Sequence, residues 1–302
     1  MAIIKSSEFE KQLAPIKEKA LKLVDEKTFN REAAFALQAI NSNPQLGKCE
    51  PQSILQAVYN ISLTGLSLNP VMKMAYLIPR WSKEGVKCSL DPSYQGLVKL
   101  LTDSGSVKSL YAHLVHHGDG FEVTLGTDTS ISHVPKYESK DIEKVYAVAI
   151  LHDGSKQIEV MTAEEINAIR DMSESYKAFR ADKIKSCIWI DHYGEMARKT
   201  VIKRIAKYLP KTEQYEKFAE AVNLDNQDYQ IGESYRGYLN SMIEKSTHDE
   251  DTKQMLLSKL YSDLSTAEAE TMKLDLLENQ RDPIASGDNY NQTDILNKLK
   301  TL

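Results

Sequence analysis

The chain has no run of 18 apolar residues, so no membrane-spanning helix is expected. Its opening, MAIIKSSEFEKQ, turns acidic too soon for a secretory leader, which makes the cytoplasm the expected compartment. Only three cysteines occur, Cys49, Cys88 and Cys187. None stands in a CxxC or CxxH pair, so neither a disulfide framework nor a structural zinc site is expected. No GxxxxGK[ST] is present, which removes the phosphate loop of an ATPase. No Ser/His/Asp or Cys/His arrangement can be argued from spacing. The nearest approach to a metal set is His113, His116, His117 and His133 with Asp119. HLVHHGDGF reads as a strand and its exit, where alternate residues point to opposite faces. His113 and His117 then share a face and His116 points away, so three converging ligands are not expected. Asp91, Asp103 and Asp119 precede Pro, Ser and Gly and read as turn and cap residues. No internal repeat is visible. An enzyme is therefore not expected, nor any metal or cofactor.

Charge is what the chain does have, unevenly placed. The net formal charge is −5. Residues 212–302 carry 9 Lys+Arg against 18 Asp+Glu, so residues 1–211 are left at +4. The acidic average hides a slightly basic body followed by an acidic tail.

Apolar spacing predicts helices over 7–24 and 28–42. A third begins at Pro51, where a missing N–H costs nothing, and ends at Gly65. After Asn69-Pro70 the period changes. MAYLIPRW and VKCSL flank Ser82–Gly85 as a β-hairpin. A helix from Pro92 to Thr102 follows, then the strands SVKSLYAHLVHHGD and FEVTLG. VYAVAILHDGSKQIEVMT is a second hairpin, closed by Asp153-Gly154. Thr162 and Glu165 form a capping box for the next helix. Residues 173–186 read as a polar, Lys-rich loop, and a helix over 188–209 stops at Pro210. Further helices are expected at 213–223, 232–246 and 251–280, then a linker, DPIASGDNYNQ, and a short terminal helix, TDILNKLKTL. The body is predicted as α+β with a mostly antiparallel meander. The division is a core over 1–225 and an acidic helical region over 226–302.

The most charged of these helices is GEMARKTVIKRIAKYLP, 194–210. On a helical wheel Val201, Ile202, Ile205, Tyr208 and Leu209 gather on one side. Lys199, Lys203 and Lys207 form a stripe on the other, with Arg204 beside it. Arg198 falls nearer the apolar side, between a DNA contact and pairing with a buried carboxylate or carbonyl. A solvated face opposite a core face is the plain alternative. Ordinary surface helices mix signs, however, and Lys203, Arg204 and Lys207 have no acidic partner on the helix. An uncompensated cationic row points to an external anion, and nucleic-acid phosphates are the natural one.

The first hairpin and the turn after it interleave cations and aromatics: Arg80, Trp81, Lys87, Tyr94 and Gln95, with Lys73 just before. That composition suits a single-strand surface, where stacking contributes about 1–3 kcal/mol per base. The alternative is that Trp81 and Tyr94 are core or turn aromatics.

Four stretches together, LGKCEPQSILQAVYNISLTGLSLNPVMKMAYLIPR, DPSYQGLVKLLTDSG, VYAVAILHDGSKQIEVMT and GEMARKTVIKRIAKYLP, resemble the RecT family of phage and prophage annealing recombinases. The likeness spans roughly residues 30–215 in order. It implies a Redβ-like annealing core, a small antiparallel sheet with packed helices framing a basic groove. It implies ATP-independent annealing of complementary single strands in phage-type recombination, through an annealed duplex intermediate. The implied partners are further copies in a ring or helical filament, an exonuclease and a host single-strand binding protein. By position, Arg80, Lys87, the Ser-Tyr-Gln-Gly turn, Lys199, Lys203 and Arg204 fall where the family places groove contacts. This chain has Gln95 where many members carry Arg or Lys. Its Ser-His-Val-Pro stretch, with His133 and Pro135, resembles a family His-x-Pro segment, read first as loop geometry and second as a DNA contact. A strand-coating protein without annealing activity and a metal-dependent nuclease are the alternatives.

Overall fold

Three helices begin the chain. Helix α1 (Ser6–Ala20) ends four residues short of its predicted limit. Helix α2 (Glu26–Ser42) starts where the Asp25 carboxylate accepts the Thr28 N–H at 2.8 Å. Its buried Phe29, Ala33, Ala36 and Ile40 follow the helical period. Helix α3 (Pro51–Thr64) begins on Pro51 and ends at Gly65, whose φ of +70° is the left-handed cap glycine adopts at little cost. A computed structural model describes residues 6–82, 85–226, 239–240, 242–261, 272 and 275–276. The predicted linker and terminal helix lie outside them, as does most of the helical signal expected over 262–280.

The predicted hairpins form. Strands β1 (Ala75–Ser82) and β2 (Gly85–Pro92) pair antiparallel. The free edge of β2 is tied to the start of α3: Glu50 N–H donates to the Val86 carbonyl, and Cys88 N–H to Ser53 Oγ, both at 2.8 Å. The next helix, α4 (Tyr94–Asp103), is capped by Ser93. Strand β3 (Ser109–His116) then pairs with β6 (Ile142–Ile150), which pairs with β7 (Lys156–Thr162), giving a three-stranded antiparallel sheet. Between β3 and β6, β4 (Gly120–Thr124) and β5 (Ser130–Val134) make a third small sheet. His133, expected in a loop, is on β5. Among the described residues the fold is α+β, with three small antiparallel sheets rather than one.

Alternation along β6 decides what packs where. Tyr146 and Val148 join Val115 and Ile158 on one face, covered by Phe121, Val123 and Ile131 of the β4–β5 hairpin. Val145, Ala147 and Ala149 are fully buried on the other. Their small side chains admit a helix, α8 (Tyr193–Ile205), which packs on the sheet and also against α4. Before it come α5 (Ala163–Met172), with the predicted capping box at Thr162 and Glu165, α6 (Glu174–Arg180) and α7 (Ile188–Asp191). Helix α6 lies in the expected loop because Ser173 caps it, accepting the Tyr176 N–H. The single helix expected over 188–209 is in three pieces. The backbone leaves helical geometry at His192, and a tight 3-10 turn over Ala206–Tyr208 precedes Leu209, extended before Pro210.

Helix α9 (Glu216–Asn226) packs on α3, α4 and β2. The chain divides into two compact units, Met1–Asp228 and Tyr229–Leu302. In the second, Leu239, Met242, Ile243, Leu256, Leu260, Met272 and Leu276 form a core that includes α10 (Glu250–Tyr261). No helix among the described residues is long and apolar enough to cross a membrane.

Candidate nucleic-acid interface

Three cations of α8 meet carboxylates from other elements. Lys199 has a side chain only 5% exposed, and its ammonium contacts Asp91 Oδ1 at 2.6 Å and also Asp225. Lys203 Nζ reaches Asp225 Oδ2 and Asn226 Oδ1, each at 2.6 Å. Arg204 spans Glu159 at 2.8 Å and the capping-box Glu165 at 2.7 Å. Burial alone would push the Lys199 ammonium down, but Asp225 and Asp91 outweigh it and hold its pKa above the ordinary lysine value. Burial likewise opposes ionisation of Asp225, and Lys199 and Lys203 overcome it and hold the carboxyl below its ordinary range.

These contacts correct the expectation of an exposed phosphate stripe. Lys199, Lys203 and Arg204 are compensated by carboxylates from β2, β7, α5 and α9. The wheel counts partners only on the same helix, and the carboxylates come from as far as 108 residues away. Asp91, expected at a turn, is the buried strand residue opposite Tyr76. Lys207 does remain exposed, in the 3-10 turn, beside the exposed Tyr208. It lies nine residues beyond Arg198, about 13 Å along a helix axis.

Arg198 pairs with a half-exposed carboxylate of its own helix rather than with a buried one. It donates to Glu195 Oε1 at 2.6 Å, and its guanidinium lies 5.9 Å from the Tyr94 ring centroid. Tyr94 opens α4 next to the exposed Gln95. Register supplies the rest of this surface. In the β1–β2 ladder Tyr76 faces Asp91, Ile78 faces Ser89, and Arg80 faces Lys87. These three pairs share the face opposite Leu77, Cys88 and Leu90, which are buried. Arg80 and Lys87 thus sit side by side at the outer end, and Tyr76, 42% exposed, at the inner end beside Asp91. Trp81 pairs with Val86 in the same ladder. Tyr76 was missed in the sequence, although the alternation Tyr76, Ile78, Arg80 was there to be read.

The Ser-Tyr-Gln-Gly turn ties α4 to the loop before β1. Ser93 Oγ accepts the Gly96 N–H at 3.1 Å and donates to the Lys73 carbonyl at 2.5 Å. Ser93 N–H donates to the Met74 carbonyl at 2.8 Å. A Cβ on Gly96 would stand 2.3 Å from that same carbonyl oxygen, so only glycine lets the loop cross here. Lys73 is exposed, at the adjoining left-handed position with φ +51°.

His133 belongs elsewhere. Its ring, 9% exposed, lies between Asp119 Oδ2 at 3.1 Å and the Tyr146 hydroxyl at 3.3 Å. Such a position corrects the reading of His133 as a DNA contact: it pins the β4–β5 hairpin to the sheet. Asp119 also accepts N–H groups from Lys136 and His116, both at 2.8 Å. These two backbone donors, then His133, hold its carboxyl well below the usual carboxylate range. A group depressed in the folded chain contributes stability above its ordinary pKa and loses it as pH falls. Melting temperature is therefore expected to drop as the pH falls below about 4, and the Asp119→Asn chain, less stable at neutral pH, should converge with it there. Parallel pH profiles would contradict this assignment. Among the described residues no three His, Cys, Asp or Glu side chains gather in a way that could hold a metal ion. Burial pushes the Cys88 thiol up to about 12, away from nucleophilic use.

Comparison with known proteins agrees with the resemblance drawn from the four stretches. A family model described as RecT family matches residues 30–235. Protein RecT of Escherichia coli (strain K12) is 34% identical over 206 residues, which cover 67% of this chain and 72% of that relative. The match takes in the β1–β2 hairpin, the Ser-Tyr-Gln-Gly turn, the three-stranded sheet, α8 and α9, so the surface and the buried ion pairs that support it fall within one matched region, and the chain belongs to the RecT family.

Proposed function

We propose that the chain binds single-stranded DNA along the outer face of the β1–β2 hairpin and anneals it to a complementary strand without ATP. The observation that carries this reading is the direct opposition of Arg80 and Lys87 in the ladder. Two cations side by side on one face can hold a single phosphate between them through charge-assisted hydrogen bonds. Tyr76, Tyr94 and Arg198 extend the same surface with aromatic faces and a further cation. Backbone neutralisation on one side leaves base edges free for the second strand, so sequence is read by pairing rather than by the protein. Base pairing in the duplex supplies the driving force, and no cofactor takes part. Assembly into a ring or filament would make a continuous track, and the acidic residues beyond 212 would serve an exonuclease or a single-strand binding protein.

The test is the pairing rate of two labelled complementary oligonucleotides without ATP. The chain is expected to accelerate pairing, and Arg80→Ala/Lys87→Ala to lose most of the acceleration while staying folded. Two lost phosphate contacts should flatten the log–log salt dependence of single-strand binding by about 1.4. Equal rates in both chains would remove the hairpin from the interface. Binding without faster pairing would leave a strand-coating protein instead.

A further inference from the structure

A cavity of about 360 Å³ opens where the α1–α2 corner, the end of α3, α4 and the loop before β1 meet. Val24, Ile61, Leu66, Met72 and Met74 supply its apolar lining. Met72 is 47% exposed, and its neighbour Val71, more exposed still, continues the apolar surface. The loop that brings the two methionines is fixed. Met72 N–H donates to the Asn69 carbonyl at 3.0 Å, and the Met74 carbonyl accepts Ser93 N–H at 2.8 Å. Cations from three helices stand around this apolar floor. Arg31 of α2 is held by Glu32, a wall carboxylate only 2% exposed that also accepts Leu68 N–H at 2.8 Å and Ser67 Oγ at 2.9 Å. Arg31 sets Nε and one terminal nitrogen on Glu32 Oε1, each at 3.1 Å, and turns its other terminal nitrogen to a ligand. Lys99 of α4 pairs with the exposed Asp103, a surface contact that a stronger anion can replace. Lys217 of α9 is exposed, its Nζ 3.6 Å from where a Cβ on Gly65, a wall residue, would stand.

We propose that this cavity docks an acidic segment of a partner protein, with one bulky apolar side chain inside and carboxylates on Arg31, Lys99 and Lys217. The volume lies at the small end of the range for ligand pockets, about 300–1,000 Å³, which suits a side chain better than a large molecule. Charge fixes the sign of the occupant. The buried Glu32 is satisfied by its own donors, so the groups left to meet a ligand at the mouth are cations. The lining fixes its class. No aromatic ring lines the cavity, so a nucleobase would find no stacking platform there. Methionine side chains, by contrast, reshape around an aliphatic or aromatic side chain at little cost. Carboxylates flanking the anchor would steer the segment in and set its register, while burial of the anchor supplies affinity.

The experiment uses the full chain and labelled heptapeptides, Glu-Asp-Asp-X-Asp-Asp-Glu, in which X is Leu, Met, Phe or Ala. Binding is read by fluorescence anisotropy. Saturable binding is expected when X is Leu, Met or Phe, and binding about tenfold weaker when X is Ala. It should weaken as salt is raised. Lys99→Gln/Lys217→Gln leaves Glu32 and its donors in place, so it should melt as wild type does, bind the peptides severalfold more weakly and lose part of the salt dependence. No saturable binding by any peptide would overturn the docking site. So would equal binding of the Leu and Ala peptides, or a glutamine variant that binds as wild type does. Loss of oligothymidine binding in that variant, with peptide binding unchanged, would overturn it in favour of nucleic acid. Altered sedimentation of the peptide-free variant would overturn it in favour of a contact between copies.

Discussion

Lys199→Ala is expected to cost about 3–5 kcal/mol of folding stability, the range for breaking a buried ion pair by removing one partner. With net stabilities of about 5–15 kcal/mol, that is a large share of the total. The cause is what stays behind. Asp225 and Asp91 are buried beside Lys199, and without it Asp225 must rely on the half-buried Lys203. A carboxylate stripped of its partner in a dry site must either stay charged at high cost or take up a proton. Urea unfolding read by circular dichroism measures the loss. The triple change Lys199→Met/Asp91→Leu/Asp225→Leu, which removes all three charges, should recover much of it, because an apolar replacement of a buried ionic cluster is often neutral. A Lys199→Ala midpoint within about 1 kcal/mol of wild type, the range of an exposed pair, would show that the ammonium is solvated. The prediction also governs how DNA-binding data are read. Lys199→Glu would gather three carboxylates in one buried site, so loss of binding in that variant reports unfolding before it reports a phosphate contact.

Gly96→Ala is expected to be the second costly change. The added methyl would meet the Met74 carbonyl oxygen at 2.3 Å and Leu66 Cδ2 at 3.1 Å. The oxygen belongs to backbone that Ser93 holds by its own N–H, so it has no cheap way to move. Overpacking of this kind costs about 1–3 kcal/mol. Hydrogen exchange supplies the specific readout: the Ser93 amide, which donates to Met74, should lose protection as the loop lifts. Gly194→Ala is the control. There the new Cβ would meet a leucine methyl, Leu114 Cδ1 at 2.8 Å, the mobile end of a side chain, and a smaller loss is expected. Gly96→Ala with wild-type stability and an intact Ser93 amide would show that the loop does not cross where it is placed.

Much of the fold could be read before any coordinates. Pro51 and Gly65 bound α3, Asp153-Gly154 closes the β6–β7 hairpin, and Thr162 with Glu165 starts α5, because each of these is decided by backbone geometry within a few residues. Ser173 and His192 show the limit of local reading. A polar serine is as much a helix cap as a loop residue, and nothing near His192 marks the end of α7. The four family-like stretches were also legible, since family likeness is a property of the order of residues.

What only the tertiary structure decided is where charge goes. Lys199, Lys203 and Arg204 looked uncompensated because a wheel contains one helix, and their partners Asp91, Glu159, Glu165 and Asp225 stand on other elements. Helix α8 packs against the three-stranded sheet and α4, and β2 and α9 bring carboxylates to its polar face, so Lys199 is interior in space, where a cation persists only when carboxylates meet it. The same packing turned Asp91 from a turn residue into a core anion and drew His133 into a strand. It left Lys87, Tyr76 and the Val71–Met72 tip exposed and Arg80 half-buried beside Lys87, because strand register and one glycine contact, not composition, determine what the hairpin and its preceding loop display.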